Sequence, residues 1–570
     1  MTAVEKRWVE RPAASERVAA LAAELGVMPL TARALVNRGQ SSAVLARDFL
    51  QAKLNSLPDP DLLPDMEVAV ARLAEALVKG ERIAVHGDYD VDGITGTALL
   101  VESLRAFGAE VEYHIPSRMT DGYGLSGEAI NRAAQSGCSL VLSVDCGVSA
   151  LVEADLVNEL GLDLIVTDHH QAPEKLPACL ALVNPHLPSN RFPWPDLAGV
   201  GVAFFLLLGL RRRLRENGWF KERSEPDLRQ GLDLVALGTI ADMVPLGGVN
   251  RILVRFGLQL LEDGKRPGIA ALKRVAEVTR VTCGTVGFRL APRLNAAGRL
   301  DDASLGVKLL LGADDGSPDK LAAHLDRCNR ERQQLEEQTL HEAIAAVEEG
   351  GAGRHSLVLA AEDWHPGVIG IVASRLVERY YRPTVMIALA DGVGKGSARS
   401  IRGFHLFAAL GRAASGLDSF GGHAAAAGLS LKAARVDDFR DDFERVAAAE
   451  LTAENLLPCL DHDGEVELRQ LEMAAVVQLA ELAPFGIGNP QPSFVCRKLD
   501  PISPQIVGEK HLRFRVAAEG VELGCIAFGM ADRFDQLQGE IDLLFRPEIN
   551  SFRGRDSVQL QVADFRPSRS

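Results

Sequence analysis

Several features that would assign this chain to a familiar class are missing from its sequence. Its 570 residues include eight cysteines but no Cys-x-x-Cys pair, so neither a disulfide framework nor a zinc ribbon is indicated. The longest apolar run, residues 198–210, is shorter than the ~20 residues that cross a bilayer, and the N-terminus carries no apolar signal core. No Gly-x-Gly-x-x-Gly follows the first predicted strand, which argues against a dehydrogenase. These absences predict a cytoplasmic protein with reduced thiols.

An excess of positive charge is also missing. The formal net charge of −15 argues against a protein that coats nucleic acid through bulk charge, but it leaves room for a local basic channel. Basic residues are concentrated between positions 365 and 415, where seven Lys and Arg accompany two acids. This basic island is either a nucleic-acid contact or a solvated helix face.

Short apolar runs alternate with helical patterns over the first half of the chain. This alternation predicts an α/β domain built on a parallel, doubly wound sheet. The predicted strands lie at 83–85, 111–115, 140–144, 164–166 and 180–183. The whole chain divides into a helical N-terminal extension (1–60), a catalytic domain (61–312), a connecting helix (313–352), a smaller α/β domain (353–452) and a C-terminal OB-like barrel (453–570).

Acids and histidines follow three of the predicted strands. Because ligands bind at the carboxyl ends of strands in such sheets, these side chains are expected to meet at one edge. A lone Asp after a strand is usually a helix cap, but three such strand ends are hard to explain by capping. Carboxylate and imidazole groups in this number favour a divalent-metal site over a solvated acidic loop. The residues are His86, Asp88, Asp90 and Asp92, then Asp145, then Asp168, His169 and His170.

Two glycine-rich turns and a β-rich end complete the chain. The first turn, at 394–400, contains Lys395, Ser397 and Arg399, and the second, at 421–428, contains His423. Such residues in glycine-rich turns are typical of a site that binds a phosphate or a base. Neither turn fits the P-loop pattern. Three phenylalanines of the barrel either stack on bases or belong to its core, and the core is the favoured alternative. They are Phe514, Phe528 and Phe545.

As a set, the motifs resemble the DHH phosphoesterase superfamily and, more closely, its RecJ family of single-strand-specific exonucleases, with DHH and DHHA1 domains. The resemblance covers residues from about 80 to 530, in family order. The matching stretches are 86–93 (HGDYDVDG), 143–147 (SVDCG), 167–170 (TDHH), 238–245 (GTIADMVP), 292–299 (PRLNAAGR), 365–370 (HPGVIG) and 421–428 (GGHAAAAG).

The resemblance implies a mechanism and a set of site residues. Two Mn²⁺ or Mg²⁺ ions would be held by His86, Asp90 and Asp145 at one position and by Asp92, Asp145, His169 and Asp242 at the other. Asp88 would orient His86 within the catalytic set, and His170 would contact the scissile phosphate or move a proton. Substrate would be bound by Arg118, Arg293, Arg299, Ser397, Arg399 and His423.

The resemblance also implies an activity and partners. The expected reaction is 5′→3′ degradation of single-stranded DNA to mononucleotides in recombination and repair. The expected partners are single-stranded DNA, single-stranded-DNA-binding protein and a helicase, with the protein acting as a monomer away from membranes. The alternative within the superfamily is a phosphohydrolase of short oligonucleotides or other small phosphoesters, whose members typically lack the final barrel. A non-catalytic binding protein on the same fold would be expected to lose acids that are present here.

Overall fold

The computed structural model describes residues 6–116, 124–312, 317–350, 353–552 and 554–568. The chain forms two compact units. The larger consists of Val9–Asn295, Ala303–Ala323 and Asp461–Ser570, and the smaller of the described part of Met1–Trp8 with Ala296–Asp302 and His324–Leu460.

The N-terminal segment is mostly helical, as predicted, but it begins with a strand. The elements are β1 (Arg7–Glu10), α1 (Ser15–Leu25), α2 (Pro29–Asn37) and α3 (Ala43–Gln51). β1 pairs with a strand at Cys459–His462, a long-range partner that no local pattern could reveal. Leu21 and Leu35 of the helices share one buried core with Phe494 and Phe545 near the C-terminus, so the first helices pack on the barrel region.

Five parallel strands form the central sheet of the larger unit, in the order β3-β2-β4-β5-β6. They are β2 (Arg82–Gly87), β3 (Glu110–His114), β4 (Cys138–Val144), β5 (Asp163–Thr167) and β6 (Ala181–Val183). Each lies within two residues of its predicted bounds at either end. The central strands are buried along almost their whole length, which explains why they read as continuous apolar runs.

Five of the next helices, from Met66 to Glu216, pack on this sheet, and the helix Val91–Phe107 is buried along nearly its entire length. The bounds are α4 (Met66–Lys79), α5 (Val91–Phe107), α6 (Gly127–Gln135), α7 (Leu151–Glu159), α8 (Gly199–Glu216), α9 (Leu232–Ala241), α10 (Gly248–Asp263), α11 (Pro267–Val275), α12 (Cys283–Thr285), α13 (Ala291–Leu300), α14 (Ser304–Leu311) and α15 (Pro318–Gly350). Between α12 and α13 the turn is π-helical, over Val286–Leu290. The long helix begins at Pro318, where proline suits the first helical turn.

The smaller unit has a mixed sheet in the order β10-β11-β9-β8-β7, in which only β7 and β8 are parallel. Its elements are β7 (Leu357–Ala361), α16 (Ile369–Tyr380), β8 (Thr384–Ala390), β9 (Val393–Arg399), α17 (Leu406–Arg412), β10 (Ser419–Gly422), β11 (Ala426–Lys432) and α18 (Val436–Glu450).

The C-terminal strands close into a barrel in the order β13-β14-β15-β17-β16, which confirms the predicted β-barrel. The elements are β12 (Cys459–His462), α19 (Met473–Ala480), β13 (Phe494–Val507), β14 (His511–Ala518), β15 (Val521–Ala527), β16 (Ile541–Phe552) and β17 (Arg555–Pro567). Phe514 and Phe545 are buried in its core, whereas Phe528 is 53% exposed beside His511. Phe514 and Phe545 therefore belong to the core, as favoured, whereas Phe528 does not.

Within the described residues, no single helix is both long and apolar enough to cross a membrane. The pair α1 and α2 meets the length and composition only when taken together, across a bend of 117°.

Candidate active site

The first acidic cluster lies in the turn between β2 and α5. Asp90 caps α5, because its Oδ1 accepts the backbone N–H groups of Asp92 at 2.9 Å and Gly93 at 3.2 Å. A Cβ at Gly93 would lie 2.4 Å from the carbonyl oxygen of Asp88, so only glycine permits this tight turn. Asp90 also offers a carboxylate oxygen within 4.8 Å of oxygens from Asp88 and Asp145. Capping and metal binding are thus compatible at Asp90.

Asp92 is buried against the start of α8. Its two oxygens accept the backbone N–H groups of Gly199 at 2.6 Å and Val200 at 2.9 Å, where the helix dipole favours a negative charge. A Cβ at Gly199 would lie 2.7 Å from the Cβ of Asp145, which explains why a glycine begins this helix. The start of α8 therefore fixes Asp92 and passes directly over Asp145.

Asp145 occupies the first position after β4 with a φ of 63°, in the left-handed region. Its N–H donates to the carbonyl of Thr167, the last residue of β5, at 3.0 Å. Aspartate and asparagine tolerate this conformation better than most residues with a Cβ. The backbone thus turns the Asp145 carboxylate toward the end of the neighbouring strand.

The end of β5 supplies His169, whose Nε2 lies among three carboxylates. This nitrogen is 3.1 Å from Asp145 Oδ1, 3.6 Å from Asp242 Oδ2 and 3.8 Å from Asp92 Oδ2. Among the described residues, it makes no contact with hydrogen-bond geometry. A buried ring nitrogen that converges with carboxylate oxygens in this way is the arrangement of a metal centre.

The electrostatics of the cluster agree with that assignment. Burial and the charge of Asp90 raise the pKa of Asp92 to about 7, and burial with the charge of Asp92 raises the pKa of Asp242 to about 9. Burial and the charge of Asp92 also raise the pKa of Asp145. Burial and the charge of His170 lower the pKa of His169 to about 3. A divalent ion would keep these acids ionised and bind the neutral imidazole, so the donor set fits Mn²⁺ or Mg²⁺.

Asp168 holds His170 in place, a role the sequence did not assign. Asp168 Oδ1 lies 2.7 Å from Nδ1 of His170 and accepts the backbone N–H groups of both histidines, and its Oδ2 accepts the N–H of Val148. Burial opposes protonation of His170, but the hydrogen bond and charge of Asp168 outweigh it and raise the pKa of His170 to about 9. The sequence signal for this contact is that Asp168 precedes His170 by two residues, close enough for the two side chains to interact.

The remaining members of this group are His86, Asp88 and Asn295. His86 is buried, and its Nε2 lies 3.2 Å from the carbonyl oxygen of Gly124. Asp88 was expected to orient His86, and the structure also places one of its oxygens among the candidate ligand atoms of Asp90 and Asp145. Asn295 Oδ1 accepts the N–H at the start of α5, so this motif residue positions the helix beside the acids.

In the smaller unit, Ser397 and Arg399 lie together at the end of β9. The predicted turn at 394–400 is wrong, because this segment is the strand β9, paired on both sides with β8 and β11. An Arg399 guanidinium nitrogen donates to Ser397 Oγ at 3.2 Å and to the carbonyl oxygen of Ala398 at 2.8 Å. A Cβ at Gly370, in the first turn of α16, would lie 2.8 Å from Ser397 Oγ and 3.2 Å from an Arg399 nitrogen. A guanidinium, a hydroxyl and a helix N-terminus at one place suit a phosphate.

His423 lies in the turn that precedes β11. The turn is fixed beside Arg399, because the N–H of Ser400 donates to the carbonyl of Ala425 at 2.9 Å and Arg399 pairs with Ala426. The His423 side chain is exposed. The strand register therefore places this turn beside Arg399, and the role of His423 stays a prediction.

The other predicted substrate residues are three arginines. Arg299 donates to the carbonyl of Gly367 at 2.8 Å, which ties the end of α13 to the loop before α16. Arg293 donates to the carbonyl of Arg289 at 2.5 Å, on the helical segment of the larger unit. Arg118 lies outside the described residues, and its role stays a prediction.

Comparison with protein families supports the domain content. Residues 82–239 match the N-terminal domain of the DHH family, residues 341–449 match the DHHA1 domain, and residues 462–564 match the RecJ OB domain. The last match covers the closed barrel, and the fold class predicted from the sequence is confirmed.

Relatives of known name extend the similarity over the whole chain. The single-stranded-DNA-specific exonuclease RecJ of Dickeya dadantii is 43% identical, over 91% of this chain and 93% of the relative. Two crystal structures of RecJ from Thermus thermophilus each match 99% of this chain. The Mn²⁺ complex has a TM-score of 0.85 and 33% sequence identity, and 80% of its own length is covered. The Mg²⁺ complex has a TM-score of 0.78 and 32% sequence identity, and 79% of its own length is covered. This chain therefore belongs to the RecJ family of single-stranded-DNA-specific exonucleases.

Proposed function

We propose that this protein is a metal-dependent exonuclease that degrades single-stranded DNA in the 5′→3′ direction to mononucleotides, in DNA recombination and repair. The observation that carries the proposal is the convergence of His169 Nε2 with oxygens of Asp92, Asp145 and Asp242 at the carboxyl edge of a parallel sheet. The family membership supplies the substrate class.

The proposed ligands of two Mn²⁺ or Mg²⁺ ions are those expected from the sequence, with Asp145 shared. They are His86, Asp90 and Asp145 for one ion and Asp92, Asp145, His169 and Asp242 for the other. Asp88 is an added candidate for the first ion, because its carboxylate lies with those of Asp90 and Asp145. The Nε2 atom of His86 lies at the carbonyl oxygen of Gly124 and would have to exchange that contact for the ion. Such a pair activates a water and stabilises the leaving oxygen of an in-line displacement. The protein holds the ligands rigidly, because capping at Asp90 and the α8 amides at Asp92 leave those side chains little freedom.

His170 is proposed to bind the scissile phosphate and to supply a proton to the leaving oxygen. Its Nδ1 is held 2.7 Å from Asp168 Oδ1, which fixes the orientation of the ring at the end of β5. In the metal-free protein, the raised pKa of about 9 keeps the imidazole protonated at neutral pH, the state that both tasks require.

Ser397 and Arg399 are proposed to bind the 5′-phosphate of the DNA, with His423 beside them. Arg118, Arg293 and Arg299 are proposed to bind the rest of the DNA strand. A planar guanidinium can donate two parallel hydrogen bonds to the oxygens of a terminal phosphate. The positive charge of the basic island around these residues is partly neutralised, because Arg375 forms an ion pair with Glu336 and Arg412 forms one with Glu450.

The barrel is proposed to extend the binding track. Phe528 is half-exposed and packs edge-on against His511, so it offers a ring face on which a base can stack. Single-stranded-DNA-binding protein and a helicase are the proposed partners, and a cytoplasmic monomer is the proposed form.

The test is digestion of long single-stranded DNA, labelled at one end, in Mn²⁺ or Mg²⁺. Wild-type protein is expected to release mononucleotides from 5′-phosphorylated strands, to spare duplex, and to lose activity in Asp242→Asn. Asp155→Asn, an exposed carboxylate on α7, is the matched control and should keep full activity. Release from 3′ ends only, or a requirement for duplex, contradicts the proposal.

A dinucleotide substrate separates the proposal from a small-substrate phosphohydrolase. We expect turnover per enzyme to be much higher on a long strand, since only a long strand reaches the barrel. Equal or better hydrolysis of the dinucleotide, together with long-strand cleavage that is unchanged by Phe528→Ala, would instead favour the small-substrate enzyme.

A further inference from the structure

A second cluster of metal-ligand side chains lies in the smaller unit, and it shares no residue with the proposed catalytic centre. Asp301 follows the end of α13, and His324 and Cys328 lie one turn apart on α15. Their ligand atoms all lie within 4.8 Å of one another. Residues four apart on a helix present their side chains on one face, so the pair is preformed by the helix itself.

We propose that Asp301, His324 and Cys328 form a binding site for a borderline divalent transition-metal ion, with Zn²⁺ as the best match. Thiolate and imidazole select this class over the hard Mn²⁺ and Mg²⁺ ions. With a neutral imidazole, the carboxylate and thiolate together carry two negative charges, which balance the ion when the thiol proton is released.

One of the three distances equals the value that an ion would impose, and the other two require Asp301 to move by less than ~1 Å. A tetrahedral ion bonded at ~2.3 Å to sulfur and ~2.05 Å to nitrogen holds these atoms about 3.6 Å apart. Cys328 Sγ and His324 Nε2 are 3.6 Å apart. Asp301 Oδ2 is 2.6 Å from Nε2 and 4.0 Å from Sγ, where the ion would set separations of ~3.4 Å and ~3.6 Å, respectively. Asp301 is 41% exposed, so its side chain can make this adjustment.

The surroundings give the site access and one competing contact. His324 is 32% exposed while Cys328 is buried, so the fourth position faces solvent and leaves an entry path. A guanidinium nitrogen of Arg327 contacts Nδ1 of His324. Because an ion on Nε2 puts the remaining ring proton on Nδ1, Arg327 must rotate away, and its exposure allows that. A bound ion would hold the segment carrying Arg299 against α15.

The probe is Co²⁺, added to full-length protein that has been treated with a chelator and then saturated with Mg²⁺. A thiolate-to-cobalt charge-transfer band distinguishes this site from the proposed catalytic centre, whose ligands are carboxylates and imidazoles. We expect one equivalent of Co²⁺ to produce the band and one equivalent of Zn²⁺ to abolish it. Cys328→Ser should lack the band, while Cys179→Ser, a half-buried thiol of the larger unit, should keep it.

Two further variants make the test independent of the buried cysteine. His324→Gln, at a half-exposed position, should weaken Co²⁺ binding by at least the roughly 10- to 100-fold that loss of an outer partner costs. Arg327→Gln should tighten binding, since the amide oxygen accepts the Nδ1 proton and a competing charge is gone. Absence of the band in wild type, its persistence in Cys328→Ser, or weaker binding in Arg327→Gln would overturn the proposal and leave Asp301 and His324 as an ion pair.

Discussion

Replacing Asp145 with asparagine tests the central assignment most directly. Asparagine tolerates the positive φ of 63° and keeps the size of the side chain, so the fold should survive where alanine would add strain. We expect Asp145→Asn to abolish cleavage and, at the same time, to make the metal-free protein more stable than wild type. Loss of a structural carboxylate would have the opposite effect on stability.

The magnitude follows from the spacing of the acids. Candidate ligand oxygens of Asp88, Asp90 and Asp145 lie within 4.8 Å of one another. Two unit charges at this distance repel by about 3 kcal/mol at an effective dielectric constant of ~20. Protons taken up by the cluster relieve much of this repulsion, so we expect a gain of ~1–3 kcal/mol in the free energy of unfolding.

The pH dependence has a defined sign in metal-free protein. The folded cluster retains protons up to about pH 9 at Asp242, whereas carboxyl groups of the unfolded chain release theirs near ~4. Protonation of the cluster therefore stabilises the folded state at low pH, and this stabilisation is lost as the pH rises from ~4 to about 9. The advantage of Asp145→Asn should grow between pH 5 and 8 by about 1 kcal/mol or more.

The assay is thermal unfolding with and without Mn²⁺, beside single-strand digestion. Wild type should gain a large upward shift of the melting midpoint with Mn²⁺, because the ion binds only the folded state, and the variant should gain little. Asp155→Asn is the control for a change of net charge. An Asp145→Asn protein that is less stable than wild type without metal, or equally stabilised by Mn²⁺, would refute a shared ligand at this position.

Three other substitutions have distinct expected outcomes. Arg399→Lys should reduce the preference for 5′-phosphate over 5′-hydroxyl ends by ~10- to 100-fold, the loss of one charge-assisted contact, in competition digests. Phe528→Ala should weaken single-strand binding by ~1–3 kcal/mol in fluorescence anisotropy while dinucleotide hydrolysis is unchanged. Arg251→Met should lower the melting midpoint by the equivalent of ~2–4 kcal/mol, because the buried guanidinium donates to the carbonyls of Phe49 and Leu482 at 2.8 and 2.7 Å. An exposed control, Arg229→Met, should change it by less than ~0.5 kcal/mol.

The candidate metal residues could be read from the sequence because they follow a rule of topology. Parallel strands align their carboxyl ends, so acids and histidines after β2, β4 and β5 had to meet at one edge. The continuous apolar runs of those strands marked their positions within two residues. The family motifs then assigned individual roles, including Asp242, which looks like a structural aspartate when it is considered alone.

Contacts that join distant parts of the chain could not be read in this way. Strand β1 pairs with β12 across most of the chain, and the N-terminal helices share a core with the barrel, although neither pairing leaves a local periodicity. The sequence likewise left open whether Phe528 belongs to the barrel core.

The sequence by itself determined the fold class, the family and the set of acids and histidines, because these depend on local periodicity, spacing and strand order. Tertiary structure decided which atoms converge. It placed Nε2 of His169 among three carboxylates, set Asp168 to hold His170, and brought Asp301 beside His324 and Cys328. Distances between side chains depend on packing, backbone turns such as that at Asp145, and close approaches such as that of Gly199, and these are settled only when the chain is folded.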